Sequence, residues 1–251
     1  MASTPSSIRI SVKRQDTPTS SPYWEEYEIP YQPRQNVIST LMEIAKDPKT
    51  RVGKPTSPVV YDRACLEEVC GSCAMRINGV SRMACTALID SLEQPIRLEP
   101  MAKFPVQRDL SVDRGVMFES LKRIKGWIPI DGTYDLGPGP RMPEPERQQA
   151  YEYSKCITCG NCLDVCPQVN GRSNFIGAAP IAQARLFNSH PTGAMNAAER
   201  LEALMSEGGI DDCGNAQNCV RACPKSIPLT TAIAEMYAAT TRYGIRKLFG
   251  T

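Results

Sequence analysis

Histidine is nearly missing from this chain: of 251 residues only His190 is one. That excludes a Rieske centre, which needs two histidines on one iron, and any two-histidine zinc peptidase motif. His190 itself, in Asn188-Ser-His-Pro-Thr-Gly193, reads as a structural residue at a turn. A charge imbalance is also missing: 29 basic and 27 acidic residues leave a net +2, too little to argue for nucleic acid or an acidic membrane surface as a partner. No stretch approaches the ~18 consecutive apolar residues of a spanning helix. Met1 to Ser7 is small and polar, so no signal peptide is expected. Any work at a membrane would then depend on something else holding the chain there.

Cysteine is what the chain has instead. Eleven cysteines, an odd number in a chain of this size, do not suit a small secreted disulfide scaffold, and their spacings are those of metal sites in a reducing compartment. The first group is Cys65-x4-Cys70-Gly-Ser-Cys73 followed by Cys85, the plant-type 2Fe–2S pattern. The eleven residues between Cys73 and Cys85 contain Asn78-Gly79, the preferred pair for a two-residue type I′ turn. A hairpin of Met75–Ile77 and Val80–Met83 would fold the chain back and deliver Cys85 to the loop. Gly71 lets that loop wrap closely around inorganic sulfide.

The second group is Cys156-Ile-Thr-Cys159-Gly-Asn-Cys162-Leu-Asp-Val-Cys166-Pro167, the C-x2-C-x2-C-x3-C-P run of bacterial ferredoxins. A copy follows at Cys213-Gly-Asn-Ala216-Gln-Asn-Cys219-Val-Arg-Ala-Cys223-Pro224, with Ala216 where the second cysteine belongs. In two-cluster ferredoxins the fourth cysteine of each run ligates the other run's cluster. Cys156, Cys159, Cys162 and Cys223 would then hold a 4Fe–4S cube. Cys166, Cys213 and Cys219 would hold a cube lacking one iron, a 3Fe–4S cluster. Zinc is the competing occupant of any C-x2-C pair, but these three patterns use all eleven cysteines as iron–sulfur ligands, with none spare. A hydroxide-completed 4Fe–4S cube at the incomplete run is a further alternative, and three thiolates with no Asp at position 216 favour 3Fe–4S.

Around these groups, Ile8, Ile10 and Val12 alternate with polar residues as in a half-buried strand, and Tyr23–Ile29 returns as a second. Val37, Ile38, Leu41, Met42 and Ala45 recur at helical spacing, and Ile96–Leu98 closes the sheet. Together these predict a β-grasp ferredoxin domain at residues 1–110. From Asp113, a plausible N-cap, the pattern turns helical, with Met117, Leu121 and Ile124 on one face. Residues 137–145, Gly137-Pro-Gly-Pro-Arg-Met-Pro143-Glu-Pro145, read as a stiff non-helical connector. Pro180 is expected to open a helix over Ile181–Phe187. Asn196 with Glu199 resembles a capping pair for Ala197–Ser206, stopped by Gly208-Gly209. A last helix carries Leu229, Ile233, Met236 and Tyr237 and is expected to end near Gly244. The fold class expected is α+β: the 2Fe–2S β-grasp domain, then an all-α ferredoxin domain at residues 111–251 whose two cysteine runs are separated by a helical insert.

These residues together resemble the iron–sulfur subunits of succinate dehydrogenase and fumarate reductase (succinate:quinone oxidoreductase, complex II), over essentially the whole chain. Asn188-Ser-His-Pro-Thr-Gly-Ala-Met195 and Asp212-Cys-Gly-Asn-Ala-Gln-Asn-Cys219 are most similar to the menaquinone-coupled bacterial branch. The resemblance implies a peripheral subunit at the cytoplasmic face of the cell membrane, with no substrate site of its own. Its implied partners are an FAD-containing flavoprotein subunit, a cytochrome b membrane anchor that carries haem, and menaquinone. Electrons would pass from FAD through 2Fe–2S, 4Fe–4S and 3Fe–4S to the quinone. Ubiquinone-reducing members of the family place a tryptophan after the Cys-Pro and a histidine after the first cysteine of the second run; Asn170 or Gly171 and Gly214 stand there in this sequence. Pro167 and Asn170 remain the residues expected to face quinone, while Phe175 is read as core. Two other readings fit the same residues: a fumarate reductase subunit with electrons running in reverse, and a soluble electron carrier or adaptor for a different flavoprotein.

Overall fold

The computed structural model describes residues 6–128 and 140–250. By packing, the chain falls into two compact units. One holds the described residues up to Arg114 together with Ile157–Asp164, the other the described residues of Gly115–Cys156 and Val165–Thr251.

The first unit is built on a five-stranded sheet. Strand β1 (Ser7–Arg14) is central, with β2 (Tyr23–Pro30) antiparallel on one side. On its other side lies β5 (Ile96–Glu99), parallel to β1, and beyond it the antiparallel pair β3 (Ala74–Ile77) and β4 (Val80–Met83), giving the order β2-β1-β5-β3-β4. The alternation seen in the sequence buries Ile8, Ile10 and Val12. It continues to Arg14, which is also fully buried: its guanidinium donates to Asp109 at 2.8 Å, Glu25 at 2.5 Å, the Tyr27 hydroxyl at 2.7 Å and Ser57 Oγ at 2.9 Å. A buried charge is tolerated only when so completely partnered, and removing one partner of such a pair typically costs ~3–5 kcal/mol. Helix α1 (Val37–Lys46) packs on β2. Asn36 caps it by accepting the Ser39 N–H at 2.8 Å, while the Ser39 hydroxyl accepts the Asn36 N–H. Its buried stripe is Val37, Ile38, Thr40, Leu41 and Ile44; Met42 and Ala45, expected inside, are exposed. The expected Asn78-Gly79 turn is present, with φ of +49° and +79°. It is fastened to β5 as well, because Asn78 exchanges N–H···O bonds with the Arg97 backbone at 2.7 and 2.8 Å. A short ribbon, β6 (Val106–Arg108) and β7 (Ser111–Val112), closes the unit.

The second unit is helical. Helix α2 (Gly115–Arg123) begins the described part, and Met117 and Ile124 are buried. Residues 137–139 of the expected connector lie outside the described residues, and the rest of it is not all connector. Helix α3 (Glu144–Ser154) starts there, with Pro145 in its first turn, where a missing N–H costs nothing. Short α4 (Asn161–Asp164) belongs to the first unit. Helix α5 (Ala178–Ser189) opens two residues before Pro180, which again falls in a first turn. Then come α6 (Pro191–Ala194), α7 (Ala197–Met205), α8 (Asn218–Ala222) and α9 (Leu229–Phe249). Asn196 does not cap α7 with its side chain; its amide donates instead to Glu199 at 3.0 Å. Helix α9 runs past Gly244 because its last turns are held elsewhere: Tyr243 and Lys247 both donate to Glu202 of α7, at 2.8 and 2.7 Å. The core joins Ile124, Phe175, Ile176, Ile181, Leu201, Leu204, Ile210 and Met236. Arg200 is fully buried beside it, satisfied by the carbonyls of Lys125, Trp127 and Gly193 and by Asn188.

Candidate iron–sulfur sites

In the first unit, the loop carrying Cys65, Cys70 and Cys73 turns inward through left-handed residues Leu66 (φ +62°) and Glu68 (φ +55°) and then Gly71 (φ +75°). Such alternation aims successive N–H groups at one point, a concavity for an anion. Here the point is sulfur: Cys65 Sγ accepts from the N–H groups of Glu67, Val69 and Cys70 at 3.3–3.4 Å, and Cys70 Sγ from Ser72 N–H at 3.4 Å. Hydrogen bonds from Ser72, then from Cys65, bring the Cys70 thiol down to about 6. Burial pushes the Cys85 thiol up to about 12, and the neighbouring Cys73 and Cys65 thiols push the same way. The hairpin of β3 and β4 therefore delivers Cys85 to the loop, tied by Ala84 N–H to Cys73 O at 3.1 Å and by the Thr86 hydroxyl to Glu68 at 2.8 Å.

The segment Ile157–Asp164 packs within the same unit. Asp164 is its anchor, accepting from the Ser81 hydroxyl and from Lys103 N–H. Cys159 and Cys162 are buried in it, and Thr158 (φ +51°) and Gly160 (φ +85°) are left-handed. Asn161, between those cysteines, is 1% exposed, and its amide nitrogen and oxygen both lack a protein partner. Cys156 and Cys223 lie in the second unit, after α3 and at the end of α8.

The second unit gathers the remaining three thiols. Cys166 and Cys213 pack on its hydrophobic core. Burial raises the pKa of the Cys219 thiol, and the adjacent Cys166 and Cys213 reinforce the shift. The Asn218 amide ties α8 to the first run through the Val165 carbonyl at 3.1 Å. Ala216 sits between left-handed Asn215 (φ +50°) and Gln217 (φ +59°). Pro167 and Asn170 are exposed on one turn, with the Asn170 amide donating to Pro167 O at 2.9 Å, while Phe175 is core, as the sequence implied. His190 accepts at Nδ1 from the N–H groups of Thr192 and Gly193, a capping role at α6.

Two family descriptions cover most of the chain: a 2Fe-2S iron–sulfur cluster binding domain at residues 9–119 and a 4Fe-4S dicluster domain at residues 152–227. The succinate dehydrogenase iron–sulfur subunit of Bacillus subtilis is 64% identical over 97% of this chain and 96% of its own length. The chain belongs to the succinate dehydrogenase and fumarate reductase iron–sulfur subunit family. The fumarate reductase iron–sulfur subunit of Escherichia coli is 31% identical over 91% of both chains. A chain of the Mycobacterium smegmatis Sdh1 complex, in its apo form, shares the fold with a TM-score of 0.80, covering 94% of this chain and 96% of that one at 24% identity.

The donor sets suit the clusters of such a subunit. Thiolate sulfur is soft and anionic, and the N–H cradle on Cys65 and Cys70 is what a charged sulfur requires. Asn161 supplies a buried donor without a protein acceptor, beside Cys159 and Cys162. The left-handed residues were missed by sequence reasoning. Their signal was positional: Thr158 and Asn215 each stand two residues after the first cysteine of a run, Gly160 and Gln217 four after it.

Proposed function

We propose that this chain is the electron relay of a succinate:menaquinone oxidoreductase, holding 2Fe–2S at Cys65, Cys70, Cys73 and Cys85, 4Fe–4S at Cys156, Cys159, Cys162 and Cys223, and 3Fe–4S at Cys166, Cys213 and Cys219. When bound, each cluster supplies a one-electron site whose ligands barely move on reduction. The residues do the rest. Backbone N–H groups on Cys65 and Cys70 stabilise negative charge on sulfur, and the apolar packing of Cys166 and Cys213 keeps water from one side of the third site. Ala216 has no atom that could complete a fourth ligand. Residues 1–110 would serve as the two-iron domain and 111–251 as the domain of the other two centres.

The observation that carries this reading is the grouping of Cys219 with Cys166 and Cys213, beside a loop in which alanine holds the place that Cys159 holds in the first run. The partners we propose are those that the family resemblance implies: a flavoprotein subunit with FAD, where succinate would be oxidised, and a cytochrome b anchor. No helix among the described residues is long and apolar enough to cross a membrane, so attachment at the cytoplasmic face would come from the anchor. Pro167 and Asn170 are assigned to the quinone-facing side; both are exposed, and their turn contains Gln168, which lies against Gly214 of the second run. The test is purification of the tagged chain from detergent-solubilised membranes. Co-purification of flavin, b-type haem and succinate-dependent menaquinone reduction is expected, with no succinate oxidation by the chain alone. A flavin-free preparation, or turnover by the isolated chain, would overturn the proposal.

A further inference from the structure

Arg114 reaches two cysteine loops at once. Its Nη1 donates to Gly71 O at 2.6 Å and to Cys159 O at 3.3 Å, and its Nη2 donates to Ser72 O. Gly71 and Ser72 lie between Cys70 and Cys73, and Cys159 belongs to the next group of ligands along the chain. The loops also touch directly. A Cβ on Gly71 would stand 2.1 Å from Ile157 O and 3.2 Å from the Cys159 backbone, so only glycine permits this approach, and its φ of +75° disfavours any other residue as well.

We infer that Arg114 and Gly71 are positioning residues that fix the gap across which an electron passes between the first two centres. This rests on the cluster assignment proposed above. In the step, the electron given up by the two-iron centre is the one taken up by the four-iron centre; no proton, atom or bond changes place. A clamp suits such a step because the backbone on both sides is held while charge moves. The guanidinium is suited to the clamp: its planar fork offers five donors and stays protonated at any working pH, whereas lysine offers a mobile point charge. Its positive charge lies beside both loops and favours the more negative, reduced state of each centre.

Charge and geometry separate by substitution. Arg114→Lys keeps the charge and loses the fork; Arg114→Gln loses both. The cluster-loaded complex is reduced stepwise, and two quantities are read by electron paramagnetic resonance. One is the midpoint potential of each centre. The other is the relaxation enhancement of the two-iron signal by the reduced four-iron centre, which falls steeply as the two move apart. Rapid-freeze sampling after a reduction pulse gives the transfer rate. Arg114→Lys should keep the potentials, lose most of the relaxation enhancement, and slow transfer. Arg114→Gln should in addition lower both potentials. Gly71→Ala must displace a backbone carbonyl and should show the weakest coupling; if it fails to load, the Arg114 variants carry the test. Wild-type spectra lacking either signal would break the cluster assignment. Wild-type signals with unaltered coupling and rate in Arg114→Lys and Arg114→Gln would overturn the positioning role alone.

Discussion

The loops at Cys156–Cys162 and Cys213–Cys219 share a backbone and differ in nearly everything around it. Each has left-handed residues two and four positions after its first cysteine. Yet Cys159, Gly160 and Asn161 are buried, whereas Gly214, Asn215, Ala216 and Gln217 are exposed. The loop shape therefore does not come from burial, nor from a full set of thiols, because the second run keeps it without a cysteine at position 216. Local chemistry supplies part of it: Gly160 and Asn215, which tolerate positive φ, fill two of the four left-handed positions, while Thr158 and Gln217 hold the other two against their preference. Surroundings decide the rest. One loop lies under Gly71 and Arg114. The other is open.

Making the first run like the second is the harshest way to probe this contrast. Cys159→Ala should abolish the four-iron signal and cut succinate-dependent quinone reduction by more than the ~10–100-fold that losing an outer-shell partner costs. Activity near wild type would show that the four-cysteine requirement is misassigned. Next in size are substitutions that oppose the left-handed backbone. Gly160→Val should lose ~1–2 kcal/mol from the conformation alone and more because its loop is buried, read as a lower thermal midpoint by circular dichroism; a loss no larger than that would mean that burial adds nothing. Gln217→Val should lose less, because Gln217 already carries the left-handed strain. Gln217→Gly should stabilise by no more than ~1 kcal/mol, since glycine's greater chain freedom offsets part of the relieved strain.

The smallest effect is kinetic and concerns the plant-type loop. In cluster-depleted chain, the exposed Cys70, with its thiol at about 6, should be alkylated quickly from neutral pH upward and slow as pH falls below 6. The buried Cys85, at about 12, should stay unreactive until strongly alkaline pH. Peptide mapping of iodoacetamide adducts reads the order, and modification of Cys85 first would contradict the cradle of N–H donors.

Much of the fold is legible in the sequence. Asn78-Gly79 announced its hairpin, and the alternation of Ile8, Ile10 and Val12 announced β1. Arg14 continues that same alternation, so its burial was written in the period but hidden by its charge. Arg200 was hidden in the same way on the face of Leu201 and Leu204. Helix α3 was not legible: its sequence, EPERQQAYEYS, buries only Tyr153 and shows no apolar period. Nor was the packing of Ile157–Asp164 with the first unit, because it depends on Asp164 accepting from Ser81 and Lys103, far away in sequence. The cysteine spacing gave candidate ligands; it gave no hint that Arg114 would bridge two of the loops.

The claim on which the contrast between the loops turns is that position 216 alone sets the type of the last centre. Electron paramagnetic resonance of the oxidised complex, with and without Ala216→Cys, tests it most directly. A three-iron signal in the wild type, lost in the variant and replaced by a second reducible four-iron cube, is the predicted result. An undiminished three-iron signal in Ala216→Cys would contradict it.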